Sequence, residues 1–287
     1  MDKVDLSLLR GICQTSAYVA YEKGFFNDEG MDVGLSIPAT AWQVPQKFEE
    51  GANRFAVIPW TRVAATEGSD SHLVVVAGSG YEEAAIVVRK GMTIEEVHSV
   101  TVPQRGGMKD LTAMGLLESL GWEGVEKLRQ PSGDGTIISF FGEGADAASM
   151  VELYATMLQE MEVGKIVRRT GDIWPGAPGC CLTTSAFIRD KQPDLVYRMV
   201  KSFLRGAEFV QENPDETSTI AHRYIGMHPK FIRKALESNR PQVNGIRNDA
   251  AMEKVLSLML DLGYIDRMPI HYRDLTFLDR ALGERTQ

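Results

Sequence analysis

The chain has 287 residues, 44% hydrophobic and 24% charged, with a formal net charge of −8. At roughly 100–200 residues per domain this length suggests about two domains, and an acidic surface repels phosphate backbones, which argues against general nucleic-acid binding. No stretch reaches about 18 consecutive apolar residues, so no membrane span is expected.

Residues 1–5 carry no basic run leading into an apolar segment, so no secretory leader is expected at this start. The location is periplasmic or extracytoplasmic if a leader has been removed, and cytoplasmic if Met1 is the native start. Three cysteines, Cys13, Cys180 and Cys181, are too few and too odd in number for a disulfide framework. Bridging the adjacent pair strains the ring. The sequence lacks CxxC and any Cys/His ligand spacing, so no metal site and no cofactor are expected.

Apolar runs then alternate with helical patterns. Strands are expected at 4–12, 31–37, 54–58 and 73–77, with helices at 16–23 and 43–50 between them. The pattern restarts with strands at 84–88, 99–102, 125–130, 145–148, 166–169 and 180–183. Helices are expected at 109–120, 136–141 and 150–161. Such alternation implies crossover units and mostly parallel sheets covered on both faces. Beyond residue 187 the chain reads as helical. Val196, Met199, Val200, Phe203, Leu204 and Ala207 form one apolar stripe within 195–212. Further helices are expected at 215–224, 229–237 and 249–262.

Several segments together resemble the nitrate/sulfonate/taurine-type and thiamine-pyrimidine-type solute-binding proteins of ABC importers. These are Ala20-Tyr21-Glu22-Lys23-Gly24-Phe25-Phe26 with Glu29-Gly30-Met31, then Phe48-Glu49-Glu50-Gly51 and Gly144-Ala145-Asp146-Ala147-Ala148. Ala186-Phe187-Ile188 and Asn213-Pro214-Asp215-Glu216 complete the series. The resemblance implies the type II periplasmic-binding fold, an α/β architecture with two lobes, each a mostly parallel sheet flanked by helices. Residues 1–88 plus 185–287 would form the first lobe and 89–184 the second, with the ligand cleft between them. It also implies a small-molecule ligand, hinge closure without bond breaking, an ABC permease as partner and a monomer.

Ligands in open α/β sheets sit beyond the carboxyl ends of strands, so the turns after strands supply the candidates. Cys13, Gln14, Thr15 and Ser16 open the first helix, where backbone N–H groups and hydroxyls suit an anion or simply cap the helix. Thr40 and Trp42, then Trp60 and Thr61, follow the next strands, and the tryptophans are placed to wall an organic ligand. Arg105, Gly106 and Gly107 follow a strand and open a helix; Arg105 suits a bidentate contact to carboxylate or sulfonate. Ser132 to Gly135 and Trp174 are expected to close the cleft, and Glu152 to meet a cationic group. The ligand is therefore expected to be a sulfonate- or carboxylate-like anion, or next a pyrimidine-like ring.

Cys13 supports an alternative reading, a cytoplasmic enzyme on the same scaffold. A helix start would lower its pKa and make it a nucleophile. The desulfinase of the dibenzothiophene pathway is similar in placing a cysteine soon after its first strand, but Trp42 occupies a loop where that enzyme's pattern has a histidine. Cys180-Cys181 resembles in part the cysteine-rich motif of the thiamine-pyrimidine synthases. A ligand-sensing regulatory module is a third reading, and it calls for a partner domain.

Overall fold

A computed structural model describes residues 1–38, 41, 43–105, 108–130 and 133–284. The chain opens with β1 (Asp2–Ser7), α1 (Thr15–Glu22), α2 (Phe25–Asp28), β2 (Met31–Ser36), α3 (Gln43–Glu49), β3 (Phe55–Pro59), α4 (Trp60–Ala64) and β4 (Leu73–Gly78). It continues with β5 (Ala84–Arg89), β6 (Ser99–Pro103), α5 (Met108–Ser119), β7 (Glu126–Gln130), α6 (Gly133–Phe141), β8 (Ala147–Val151), α7 (Tyr154–Glu160), β9 (Gly164–Arg169) and α8 (Thr170–Ile173). It returns as β10 (Cys180–Ser185) and ends helically in α9 (Ala186–Lys191), α10 (Pro193–Glu212), α11 (Pro214–Ile225), α12 (Pro229–Ser238), α13 (Asp249–Asp261) and α14 (Thr276–Gly283).

Two five-stranded sheets result, ordered β2-β1-β3-β10-β4 and β7-β6-β8-β5-β9. They are built alike. β1 pairs in parallel with β2 and β3, and β6 with β7 and β8. β10 then runs antiparallel between β3 and β4, and β5 antiparallel between β8 and β9. The expected mostly parallel sheets are thus mixed. Each antiparallel strand is the one that has just crossed from the other lobe. It enters at the end where the parallel strands finish and must run back along them.

Two strands join the sheet opposite to the one expected for them. Residues 84–88, expected in the first lobe, form β5 of the second sheet. Residues 180–184, expected in the second lobe, form β10 of the first sheet.

The valine-rich strands read as unbroken apolar runs because both faces are covered. Phe55 and Val57 of β3 pack beneath α1 and α10, whereas Ala56 and Ile58 face α4 and α13. In β5, Ile86 and Val88 join the α5 side of the second sheet, and Ala85 and Val87 the α7 side. The predicted stripe of α10 is buried against α1 and the first sheet. Pro193 and Pro214 begin α10 and α11, where the missing N–H costs no helical bond.

Two local expectations fail. The strand expected over 4–12 stops at Ser7, and Ile12–Gln14 form a 3₁₀ turn. The helix expected from 150 starts at Tyr154. Met150 and Val151 finish β8, and Leu153, at φ 90°, turns the chain before the helix. Among the described residues, no helix is long and apolar enough to cross a membrane.

α1 and α10 approach each other closely. A Cβ on Gly206 would collide with the Ser16 carbonyl oxygen. Gly206→Ala should therefore push these helices apart and cost about 1–3 kcal/mol in denaturant unfolding, despite the better helix propensity of alanine.

Candidate functional site

The carboxyl ends of the parallel strands in both sheets converge on the two segments that join the lobes, 78–84 and 169–180. These segments run side by side. Gly179 N–H donates to Gly80 O (2.8 Å), Gly80 N–H to Cys180 O (2.9 Å) and Glu82 N–H to Ala177 O (2.9 Å), and Tyr81 and Pro178 form an antiparallel bridge. A third segment lies over them: Gln242 N–H donates to Ser79 O (2.7 Å), Gly78 N–H to Val243 O (3.0 Å), and the Asn239 amide to Tyr81 O. A Cβ on Gly78 would stand 2.5 Å from Val243 O, so this stack requires glycine there.

Glu83 closes the first crossover. Its carboxylate folds back between the two joining segments, where a Cβ on either Gly80 or Gly179 would collide with it. Oε2 accepts the Cys180 N–H (3.1 Å), and Oε1 is buried without a hydrogen-bond partner. Cys13 approaches from the turn after β1. The sulfurs of Cys13 and Cys180 and a carboxylate oxygen of Glu83 all lie within 4.8 Å of one another. Gln14 fixes that turn: Oε1 accepts the Leu9 N–H (3.1 Å) and Nε2 donates to Cys13 Sγ (3.2 Å). The Ser79 hydroxyl donates to Cys13 O, tying the turn to the first crossover.

Burial pushes the Glu83 carboxyl above its ordinary range. For Cys13, the hydrogen bond from Cys180 favours the thiolate, but burial and the neighbouring Glu83 carboxylate outweigh it and push the thiol up. The expected activation by a helix start is overturned, because the thiol meets a carboxylate and a second thiol in a sheltered pocket. Cys180 is pushed well up by its bond to Cys13 and by burial, and Cys181 by burial. Cys181 points away, donating to Ile58 O (3.4 Å).

The lobes also touch away from the joining segments. α5 meets α13, and α7 meets α12. On the α13 side, Asp110 of α5 is fully buried, paired with Arg129 (2.5 Å), and accepts the Tyr264 hydroxyl. Burial, then the bond to Asp110, pushes Tyr264 up to about 12.

A family model described as NMT1/THI5 like matches residues 14–217, more than half of the chain. The chain belongs to the NMT1/THI5-like family. Among curated proteins, none matches the sequence. Solved structures align over nearly the whole chain at low identity. A ligand-binding component of an ABC-type import system from Staphylococcus aureus, with zinc bound, has a TM-score of 0.84 at 12% identity, covering 98% of this chain and 99% of that one. The periplasmic nitrate-binding protein NrtA from Synechocystis PCC 6803 has 0.82 at 14%, covering 99% and 89%. The alkanesulfonate-binding protein SsuA from Xanthomonas axonopodis pv. citri, bound to MOPS, has 0.78 at 11%, covering 96% and 99%. These likenesses establish a shared two-lobed fold.

In this NMT1/THI5-like chain the predicted site residues divide. Cys13 and Gln14 lie where the turn after β1 meets the joining segments, Ser16 lies in the first turn of α1, and the Ser16 and Thr61 hydroxyls are buried without hydrogen-bond partners. The Thr15 hydroxyl bonds the Ile12 carbonyl (2.7 Å) and is spent on its own turn. Trp60 is a core residue instead of a ligand wall. It is fully buried, its indole N–H donates to Pro178 O (2.9 Å), and its ring packs on Tyr272. Trp174 likewise packs into the core shared by α5 and α13, with Gly115 leaving room for its ring. The cation that Glu152 meets is Arg169 of the same chain; Thr156 and the Leu153 N–H also bond this buried carboxylate. Arg105 is exposed in the turn after β6. Thr40, Trp42, Gly106, Gly107 and Ser132 lie outside the described residues.

Glu83, Asp110 and Tyr264 were not foreseen. The run Ser79-Gly80-Tyr81-Glu82-Glu83 did hold one signal, an acidic pair set directly against a strand whose first five residues are buried. Replacing Tyr264 by Phe removes the bond to Asp110 across the lobes. It should lower stability by about 1 kcal/mol and widen the solution scattering profile toward a more open shape.

Proposed function

We propose that this chain is a solute-binding protein that captures a small organic anion, a sulfonate or carboxylate, for an ABC importer by closing two lobes about it. The observation that carries this reading is the convergence of the parallel strands' carboxyl ends in both sheets on one pair of joining segments. That is where ligands of open α/β sheets bind, and paired crossovers with few backbone bonds make a hinge. The lobe boundary is then the pair of joining segments, 78–84 and 169–180.

The ligand class follows from two supports. Arg105 stands exposed in the turn after β6, where a guanidinium can meet an entering anion. The structurally similar SsuA and NrtA are named for alkanesulfonate and nitrate. Ser16 and Thr61 supply hydroxyls in search of a partner, and buried polar groups are ordinarily satisfied. A pyrimidine-like ring is the second ligand class. Work in an extracytoplasmic compartment, alongside a permease, completes the reading.

A thermal-shift screen of sulfonates, sulfinates, carboxylates and pyrimidines tests it, with each hit recovered and weighed. A stabilising anion returned unaltered is the expected result. A hit returned with a changed mass would make the protein an enzyme and overturn the proposal. For the anion found, Arg105→Ala should weaken binding at least about tenfold, the loss of a charged hydrogen bond. Unchanged affinity removes Arg105 from the site.

A further inference from the structure

We propose that Cys13, Glu83 and Cys180 form a site for one thiophilic divalent ion of the zinc class, set in the joining segments of the two lobes. The site is separate from ligand capture and stands or falls independently of it.

The donor set carries the argument first. Two thiols and one carboxylate, contributed by the turn after β1, the first crossover and the start of β10, bring their donor atoms within 4.8 Å of one another. Bond lengths of about 2.3 Å to sulfur and 2.0–2.2 Å to oxygen place the donors of a tetrahedral ion about 3.3–3.8 Å apart. Modest side-chain rotation closes that difference. Three protein donors leave a fourth position for water or another small donor, as in open zinc sites. Two sulfurs select a soft or borderline ion over magnesium or calcium.

Glu83 Oε1 is the second, independent observation. It is buried and accepts no N–H or O–H, with the Cys13 and Cys180 thiols lying against the carboxylate, an arrangement that normally demands an explanation. Its sister Oε2 is already held by the Cys180 N–H, so the carboxylate is oriented with one oxygen uncommitted. The space that a Cβ on Gly80 would fill is bounded by this Oε1 and by Cys13 Cβ, 2.8 Å away, so the uncommitted oxygen lies on the Cys13 side. An ion there satisfies it.

Outer contacts fit the same reading. Gln14 Nε2 donates to Cys13 Sγ at 3.2 Å while its Oε1 is fixed by Leu9, so the amide is locked as a donor toward the sulfur. Such supports orient ligands and sustain their charge. On binding, the ion displaces the protons of both thiols, and of the carboxyl where it is protonated, to solvent. Because its ligands come from both crossovers and from the first lobe, a bound ion ties these segments together and stiffens the hinge.

Spacing in the sequence could not reveal this site. Cys13, Glu83 and Cys180 are far apart in the chain and form no ligand motif.

The test uses the full chain, reduced with a non-thiol reductant, freed of metal and titrated with cobalt(II). One equivalent should produce thiolate-to-cobalt charge-transfer bands, and zinc(II) should displace them. Cys13→Ser and Cys180→Ser should each weaken cobalt binding at least about tenfold, and Glu83→Gln and Gln14→Ala by about tenfold. Cys181→Ala should bind as the parent does. Should a variant fail to fold, the parent chain still decides: bound zinc should protect Cys13 from alkylation. Absence of charge-transfer bands together with absence of protection overturns the proposal. So does a Cys13–Cys180 disulfide that forms in air while the fully reduced chain ignores cobalt, because the pair would then be a redox couple.

Discussion

The structure depends on how two joining segments share one line of backbone hydrogen bonds around the Glu83 side chain. Gly80 and Gly179 leave the space that the carboxylate fills, and the carboxylate in turn holds the first residue of β10 through the Cys180 N–H. A buried carboxyl is costly unless it is bonded or neutral. Its raised pKa and its bond to the backbone are two ways of meeting that cost. The crossovers are therefore fixed in register at one point, and each sheet is completed by a strand anchored there.

That anchor explains the matching layout of the two sheets. β4 ends at the junction and β5 leaves it, while β9 ends there and β10 leaves it. Each departing strand inserts antiparallel between two others in the opposite sheet. The exchange interlocks the lobes topologically while joining them through few bonds. The remaining interlobe contacts sit on either side of the junction, where α5 meets α13 and α7 meets α12. Trp60 serves the junction from below, its indole holding the Pro178 carbonyl. A tryptophan just beyond a strand end thus has a structural task that its position alone does not announce.

Much of this was legible in the sequence. The valine-rich runs Val74–Val76 and Val87–Val88 marked strands covered on both faces, and Asn213-Pro214 marked the break between α10 and α11. Errors arose where local signals were ambiguous or where pairing decided the outcome. Met150 and Val151, expected to open a helix, finish β8 instead, held there by pairing with β5. Crossing strands look like any other strand in sequence. Only their hydrogen bonds place 84–88 and 180–184 in the exchanged sheets. For the site, Cys13 was found because it follows the first strand. Its chemistry was misread because the groups that set its pKa, Glu83 and Cys180, come from 70 or more residues away (positions 83 and 180 against 13).

The same environment that pushes the Cys13 thiol up suits it as a ligand. A reactive thiol needs a positive neighbour to hold the thiolate. Here burial raises Glu83, burial and the Glu83 carboxylate raise Cys13 against the opposing bond from Cys180, and the bond to Cys13 together with burial raises Cys180. A divalent cation reverses this balance, since its own charge is the largest in the site and holds each ligand in its deprotonated form. Gln14 fits the bound state better than the empty one, because an amide N–H is a good partner for a thiolate and a weak one for a thiol. The arrangement is therefore poorly built for attack on a substrate and well built to hold a cation at the one place where both lobes are joined.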